Sequence, residues 1–186
     1  AGFVAVVLGL GIYVGVTGDE DADAVGIVAT VLFELLIGAN LPGDYRDFLL
    51  AVNGGAPESG TLYALAPVDW QNKPAADSGG DAIVQYLYVL DNWKGVFEGE
   101  RNEALTLDWA YRVRVPEQRV LPPGMIPIGC DPGGSQFVLD VEGKLPSDSR
   151  PGSVWFWASD YHDRHRAASD PFHSLGFIAV SFSDFL

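Results

Sequence analysis

The chain has 186 residues but only one cysteine, Cys130. A single cysteine cannot form an intrachain disulfide, which excludes a disulfide-stabilised secreted scaffold, and it cannot supply a multi-cysteine zinc site. Cys130 ends the apolar run 126–130, which predicts a packed small hydrophobic side chain rather than a nucleophile. A reducing compartment such as the cytoplasm fits this composition.

Basic residues are also scarce. Eleven Lys and Arg stand against 25 Asp and Glu, which gives a formal net charge of −14, while 48% of the residues are hydrophobic, enough for one domain with a substantial core. So acidic a chain is repelled by phosphate backbones and anionic lipid, which disfavours nucleic-acid binding. Basic protein partners fit the charge, although acidity that serves solubility alone is the more common explanation.

The first 40 residues contain no Lys or Arg, and the first 16 carry no charge. This run is shorter than the ~20 apolar residues of a membrane-spanning helix and lacks the basic start of a signal peptide. Its Gly, Val, Ile and Tyr residues favour one or two buried strands, with an apolar helix or membrane association as alternatives. Residues 17–23 predict a solvated acidic loop, because the ligand spacing of an EF-hand is missing.

Residues 25–38 predict an apolar helix that Asp23 caps and that Gly38 or Asn40 ends. Four apolar side chains are expected to share its face: Val28, Leu32, Leu35 and Leu36.

Residues 41–55 predict a second helix, with Pro42 in the first turn and a left-handed stop at 53–55. Side chains spaced i, i+3, i+4 and i+7 are expected to form its buried stripe: Tyr45, Phe48, Leu49 and Val52.

The remainder of the chain predicts more strand than helix. Strands are expected at 61–66, 105–115, 125–128, 136–141 and 154–157. The segment 83–90 fits a strand or a helix, a further helix is expected from about Asp91, and Ser181 caps a final short helix. Residues 125–141 predict a hairpin around a turn at 131–134. Because no βαβ rhythm is present, we expect an α+β fold with a central, mostly antiparallel sheet flanked by helices.

The strand at 154–157 carries three consecutive aromatic residues. Alternation along a strand places Phe156 on one face and both Trp155 and Trp157 on the other. One face belongs to the core. The other is either covered within the domain, which is more common, or used by a partner.

The common nucleotide-binding and hydrolase motifs, the phosphate loop, GxGxxG and GxSxG, are missing from the sequence. His162 and His165, together with Asp160, could hold a metal ion for hydrolysis. Arg164 and Arg166 lie between and beside these histidines and would repel a cation. We therefore expect no metal, no cofactor and no catalytic residue, with a metal-dependent hydrolase as the least favoured alternative.

Four blocks of sequence carry a family resemblance: LPGDYRDFLLAVNGG at 41–55, LPPGMIPIGCDPGGSQFVLDV at 121–141, VWFWASD at 154–160 and FIAVSFSDFL at 177–186. In this order they resemble the SUKH superfamily, the Smi/Knr-type proteins. The resemblance covers about residues 32–186. We expect one such domain at 25–186, preceded at 1–24 by an apolar element and an acidic loop that have no counterpart in the family.

The resemblance implies an α+β domain that binds proteins and is not an enzyme. Bacterial members are commonly immunity proteins that neutralise toxins, and fungal members regulate cell-wall synthesis through protein contacts. Many such toxins are nucleases with basic active sites, and an acidic inhibitor is steered onto them. The sequence thus predicts a cytoplasmic immunity protein with a basic toxin domain as its partner. A regulatory or scaffold role in cell-wall synthesis is the alternative, and membrane contact is not expected.

Five residues at expected strand ends and loops are candidates for contact with that partner: Asp91, Trp93, Asp131, Asp160 and Tyr161. Binding groups collect on loops that a rigid scaffold positions. The two aromatic residues would anchor the partner, and the three aspartates would steer its approach. The competing structural explanations are a turn-holding role for Asp131 and a core position for Trp93.

Overall fold

A computed structural model describes residues 4–8, 11–15, 22–56, 64–66, 68–70, 82–90, 103–117, 120–122, 124–145, 150–159 and 174–186. Within these segments, no helix combines the length and the apolar character needed to cross a membrane.

The described elements are, in chain order, β1 (Val4–Leu8), β2 (Gly11–Gly15), α1 (Ala22–Ile37), α2 (Gly43–Ala51), β3 (Ala64–Ala66), β4 (Asp69–Trp70), β5 (Ala82–Val84), β6 (Tyr86–Leu87), a 3-10 turn (Glu103–Leu105), α3 (Leu107–Arg112), a π-helical turn (Val113–Glu117), β7 (Met125–Cys130), β8 (Gln136–Asp140), β9 (Ser153–Trp157), β10 (Leu175–Ala179) and α4 (Phe182–Phe185).

A six-stranded sheet forms the centre of the fold, in the order β4-β10-β9-β8-β7-β6. Every neighbouring pair is antiparallel, which confirms the expected α+β fold with an antiparallel sheet. From β6 to β10 each strand pairs with the next one along the chain, and β4 adds to the far edge. Two small two-stranded sheets, β1-β2 and β3-β5, are separate from it.

Both faces of the sheet are covered. Phe137, Leu139 and Phe156 point into the main core, which also contains residues of α1, α2, α3 and α4. Trp155 and Trp157 point the other way, into a second cluster. That cluster also contains Val115, Leu121, Met125, Val138, Leu145 and Leu175. The alternation predicted for this strand is confirmed, and both tryptophans are covered within the domain rather than offered to a partner.

Helix α1 begins at Ala22, so Asp23 lies inside its first turn and does not cap it as expected. An acidic residue there still interacts favourably with the helix dipole. Gly38 ends the helix as predicted: its φ is 70°, and its N–H donates to Glu34 O at 2.9 Å.

The predicted shared face of α1 is wrong at Leu35 and Leu36, which are exposed. Glu34 is the reason. Its buried carboxylate accepts a hydrogen bond from Leu41 N–H at 2.8 Å and pairs with Arg46 of α2. Turning Glu34 inward turns the following residue by about 100° around the helix axis, and Leu35 therefore points outward.

Helix α2 buries Tyr45 and Leu49 as predicted, and Phe48 packs partly buried beside them. Val52 is exposed, contrary to prediction, because the chain leaves the helix there. Pro42 precedes the first helical residue instead of lying within the first turn. The left-handed stop is confirmed, since φ is positive at each of its three residues, 53–55.

The strand predicted at 105–115 is wrong, because this segment is helical. Leu107 and Ala110, three residues apart, are both buried, which a helix achieves and a strand does not. Asp108 and Arg112 form an ion pair across one helical turn. Over such a short stretch the same residues fit both the two-residue period of a strand and the 3.6-residue period of a helix.

The other predicted elements differ in their outcome. The strands at 125–130, 136–140 and 153–157 are confirmed, as is the final helix, where Ser181 Oγ accepts the N–H of Asp184 at 3.1 Å. Residues 82–87 form strands rather than a helix, and β10 was not predicted as a strand. The helix expected from about Asp91 lies outside the described residues. Residues 1–16 contain the expected strands, β1 and β2.

Candidate functional site

The turn between β7 and β8 contains the one predicted contact residue in the described part of the chain, Asp131. Its Oδ1 accepts the N–H of Ser135 at 2.8 Å, and its carbonyl accepts the N–H of Gly134 at 3.2 Å. Gly134 has a φ of 87°, a conformation that favours glycine. The structural role considered for Asp131 is therefore real, and its half-buried carboxylate also adds negative charge at this end of the sheet.

Ser135 connects this turn to the end of β9. Its Oγ accepts the N–H of Ser159 at 3.2 Å, and the two hydroxyl oxygens lie 3.3 Å apart. The register agrees, since Gln136 pairs with Trp157. Because Ser159 directly precedes Asp160, the chain enters the segment of Asp160 and Tyr161 beside the turn that holds Asp131.

The chain enters the segment of Asp91 at the opposite end of the sheet. Tyr86 pairs with Cys130 at the end of β7, and Tyr88 N–H donates to Ile128 O at 2.9 Å, so the chain then runs toward the beginning of β7. The N–H of Leu90 donates to Asn53 Oδ1 at 3.0 Å. The chain thus enters the segments of the predicted contact residues at two different ends of the sheet. Asp91, Trp93, Asp160 and Tyr161 themselves lie outside the described residues, as do His162 and His165.

Buried polar side chains support the turn from below. Tyr88 OH donates to Gln136 Oε1 at 2.6 Å, and Gln136 Nε2 donates to Gly134 O at 2.7 Å. Burial raises the pKa of Tyr88 above its usual value and raises that of Tyr86 to about 12. Both phenols are therefore neutral at physiological pH. The hydrogen bonds that Tyr88 and Gln136 make beneath the turn are thus bonds between uncharged groups.

Cys130 packs partly buried against the main core, as the sequence predicts. Burial raises the pKa of its thiol. The thiolate is the reactive form, so a raised pKa makes the thiol less reactive at neutral pH.

We expect iodoacetamide at pH 8 to alkylate Cys130 at least several-fold more slowly than it alkylates free cysteine, because burial shields the thiol and raises its pKa, which lowers the fraction of reactive thiolate. Mass spectrometry follows the modification, and the chain unfolded in urea serves as the control, which should react like free cysteine. Equal rates for folded and unfolded chain would contradict a packed thiol.

Asp140, at the end of β8, was not singled out as functional by the sequence, yet it holds the next loop. Its buried Oδ1 accepts the N–H groups of Glu142, Gly143 and Lys144, and Oδ2 accepts that of Leu145. The only feature of the sequence that pointed to Asp140 was its place in the block at 121–141, one of the four that carry the family resemblance. The side chain fixes a loop shape and is not available to a partner.

Arg114 is the most unusual cation among the described residues. It lies in the π-helical turn, its guanidinium carbon is 5.7 Å from the ring centre of Trp109, and its Nη1 is buried with no hydrogen-bond partner among those residues. The described residues hold no group of three or more His, Cys, Asp or Glu side chains that could bind a metal ion.

The model of the SMI1 / KNR4 family (SUKH-1) matches residues 30–186, from the middle of α1 to Leu186. No curated protein and no solved structure matches the chain.

Proposed function

The chain belongs to the SMI1 / KNR4 family (SUKH-1), and on this premise we propose that it is a non-enzymatic cytoplasmic immunity protein that binds and neutralises a basic bacterial toxin domain, such as a nuclease. Family membership supports a protein-binding role in general. The identity of the partner rests on the charge of the chain.

Charge is the observation that carries the proposal. The net charge is −14, and the basic side chains of Arg46, Arg112 and Lys144 each pair with an acid of the same chain. These pairs neutralise local cations and leave the excess of carboxylates to dominate the surrounding potential. Such a field accelerates the approach of a basic partner and competes with nucleic acid for it.

We place the main contact at the end of the sheet where Asp131 lies. The turn there is held by its own hydrogen bonds and tied to Ser159, so it offers a rigid support for the neighbouring segment. On this proposal, Asp131 and Asp160 steer the toxin and Tyr161 anchors it. Loops on rigid scaffolds commonly carry such binding groups.

Asp91 and Trp93 form a second proposed contact region, which the chain enters from the other end of the sheet. A standard interface covers about 800 Å² of each partner, a patch roughly 30 Å wide. A five-residue strand is about 17 Å long. One toxin domain is therefore large enough to reach both regions.

The proposal requires that a gene beside that of this chain encodes a toxin domain, and the test uses that domain. Expressed alone in bacteria it should arrest growth, and co-expression of the chain should restore growth. With the purified pair, the association rate should fall as salt rises, because exposed charges are screened beyond about 8 Å at physiological ionic strength. Persistent growth arrest with both proteins expressed would refute the immunity role, whereas a rate indifferent to salt would refute electrostatic steering.

Charge reversal locates the contact. Asp160→Lys should slow association several-fold and change dissociation less, as expected for a charge at the rim of an interface. Asp131→Asn removes the charge but keeps the oxygen that holds the turn, and it should act in the same direction. Asp47→Lys is the matched control, since Asp47 is exposed on α2 and makes the same change in net charge elsewhere. Equal effects of Asp160→Lys and Asp47→Lys would place the contact elsewhere.

A further inference from the structure

Arg114 is a cation that the fold leaves without an acid. Arg46, Arg112 and Lys144 each pair with a carboxylate, whereas Arg114 forms no ion pair with any acid among the described residues. Its Nη1 is buried and has no hydrogen-bond partner there. The side chain as a whole is half-buried, so the guanidinium lies at the boundary between the interior and solvent. A buried donor without an acceptor lowers the stability of the free chain.

The surroundings of Arg114 are typical of a residue that recognises a partner. Its guanidinium carbon lies 5.7 Å from the ring centre of Trp109, which is itself half-buried. Arg and Trp are enriched among the residues that contribute most of the binding energy at protein interfaces. An aromatic face orients the planar guanidinium, whose edge matches a planar carboxylate. The turn Val113–Glu117 that carries Arg114 is π-helical, and such turns occur frequently at functional sites.

Arg114 lies beside the turn that holds Asp131. Burial raises the pKa of Tyr88 and of Cys130, and the positive charge of Arg114 opposes this rise at both residues, so the guanidinium is close to both side chains. Tyr88 OH donates to Gln136, which follows the turn, and Cys130 directly precedes Asp131. The unpaired cation is therefore near the end of the sheet where we place the main toxin contact.

We propose that Arg114, oriented by Trp109, binds one acidic side chain of the toxin and thereby distinguishes this toxin from other basic proteins. This role rests on the proposed immunity function and adds a specificity-determining residue to it. The excess carboxylates of the chain attract basic proteins in general, because steering by net charge does not distinguish one basic surface from another. A cation that stays unpaired unless the partner supplies a carboxylate penalises every basic protein that lacks one at that place.

The chemistry of the site favours a carboxylate carried by a protein over a free anion. The negative charge of the chain repels free anions, and one ion pair at a protein surface is too weak to hold a small anion against water. In a complex, the rest of the interface brings the carboxylate into place. Because Nη1 has already lost its hydration in the free chain, forming a hydrogen bond to it strips no further water from this donor.

The test compares binding of the toxin domain by the wild type, Arg114→Met and Arg112→Met. Both variants lose one positive charge, so net charge alone predicts that each binds a basic toxin as tightly as the wild type or more tightly. We expect instead that Arg114→Met weakens binding by about 100-fold, mainly through faster dissociation, because the acid of the toxin is then buried without a partner. Arg112→Met is the matched control, since Arg112 is exposed and pairs with Asp108 of its own helix, and it should not weaken the complex.

Urea denaturation of the free chains separates binding from folding. Arg114→Met should unfold at the same urea concentration as the wild type or at a higher one, because it removes an unsatisfied buried donor. If this variant does not fold, Arg114→Lys replaces it. Lysine keeps the charge but lacks the planar fork, and a loss of affinity of about 10-fold is expected. When the acids of the toxin are replaced one at a time, one of them should add no further loss in the Arg114→Met background.

The outcomes separate the role of Arg114 from the immunity function. If the wild type does not bind the toxin, the immunity function and the role of Arg114 are both refuted. If the wild type binds, but Arg114→Met binds as tightly or both variants weaken binding equally, the role of Arg114 alone is overturned. Sodium acetate is compared with sodium chloride at the same concentration on the free chains. If acetate stabilises the wild type but not Arg114→Met, the site takes a free carboxylate, which would also overturn the assignment to the toxin.

Discussion

Replacing Phe182 by alanine should lower the free energy of unfolding by about 4 kcal/mol, as for other fully buried aromatic residues. Phe182 is 0% exposed although α4 has only four residues. Its ring lies 4.8 Å from that of Tyr45 and 4.9 Å from that of Phe48, measured between ring centres. Such aromatic contacts add to the loss from burial alone. Urea denaturation followed by circular dichroism measures the change.

Val52→Ala is the control for this substitution. Val52 is exposed at the end of the same helix that Phe182 packs against, so its truncation should change stability by less than about 0.5 kcal/mol. If Phe182→Ala cost as little as Val52→Ala, α4 would not be part of the core in solution.

Replacing Gly54 by alanine should cost about 4 kcal/mol or more. The φ of Gly54 is 78°, and an added Cβ would lie 2.5 Å from Tyr88 O and 2.7 Å from Leu87 O. These are backbone atoms of a segment that is itself fixed, because Gly55 and Leu87 exchange backbone hydrogen bonds of 2.8 and 2.9 Å. The clash cannot be relieved by rotating a side chain, so the backbone must move.

Gly38→Ala separates the clash from the backbone conformation. Gly38 has a similar φ of 70°, but nothing lies within 4 Å of its added Cβ. Its cost should therefore be the conformational term alone, about 1–2 kcal/mol. Equal losses of stability at the two positions would show that the approach of residues 87 and 88 to Gly54 is looser than described.

The sequence predicted those elements whose signals are local. The hairpin at 125–140 follows from the turn residues between two apolar runs, and the end of α2 follows from Asn53 and the two glycines after it. Both signals act within a few residues, and neither depends on distant parts of the chain.

Elements whose structure depends on contacts between residues far apart in the sequence were predicted less well. The orientation of α1 depends on the link between Glu34 and Arg46, which are twelve residues apart, and hydrophobicity alone placed Leu35 inside. Residues 107–112 fit the pattern of a strand. They form a helix because a helix buries both Leu107 and Ala110 beneath the sheet.

At the candidate site, too, local features could be predicted from the sequence and contacts between distant residues could not. The turn role of Asp131 was foreseeable from its position before Pro-Gly-Gly. The contact between Ser135 and Ser159 was not, because it joins residues 24 positions apart through the pairing of β8 with β9. That pairing, rather than any motif, is what brings Ser159, the residue before Asp160, next to the turn that holds Asp131.

The contact between α2 and α4 has a consequence for synthesis on the ribosome. Ser183 N–H donates to Asp44 Oδ2 across 139 positions, and Phe182 completes the aromatic cluster of α2. At typical translation rates, Asp44 is made roughly 7–28 s before its partner. The strands β6 to β9 pair with their sequence neighbours and can form as they emerge, whereas α2 must wait with part of its apolar face uncovered. We therefore expect the nascent chain to expose this face to chaperones until α4 leaves the exit tunnel.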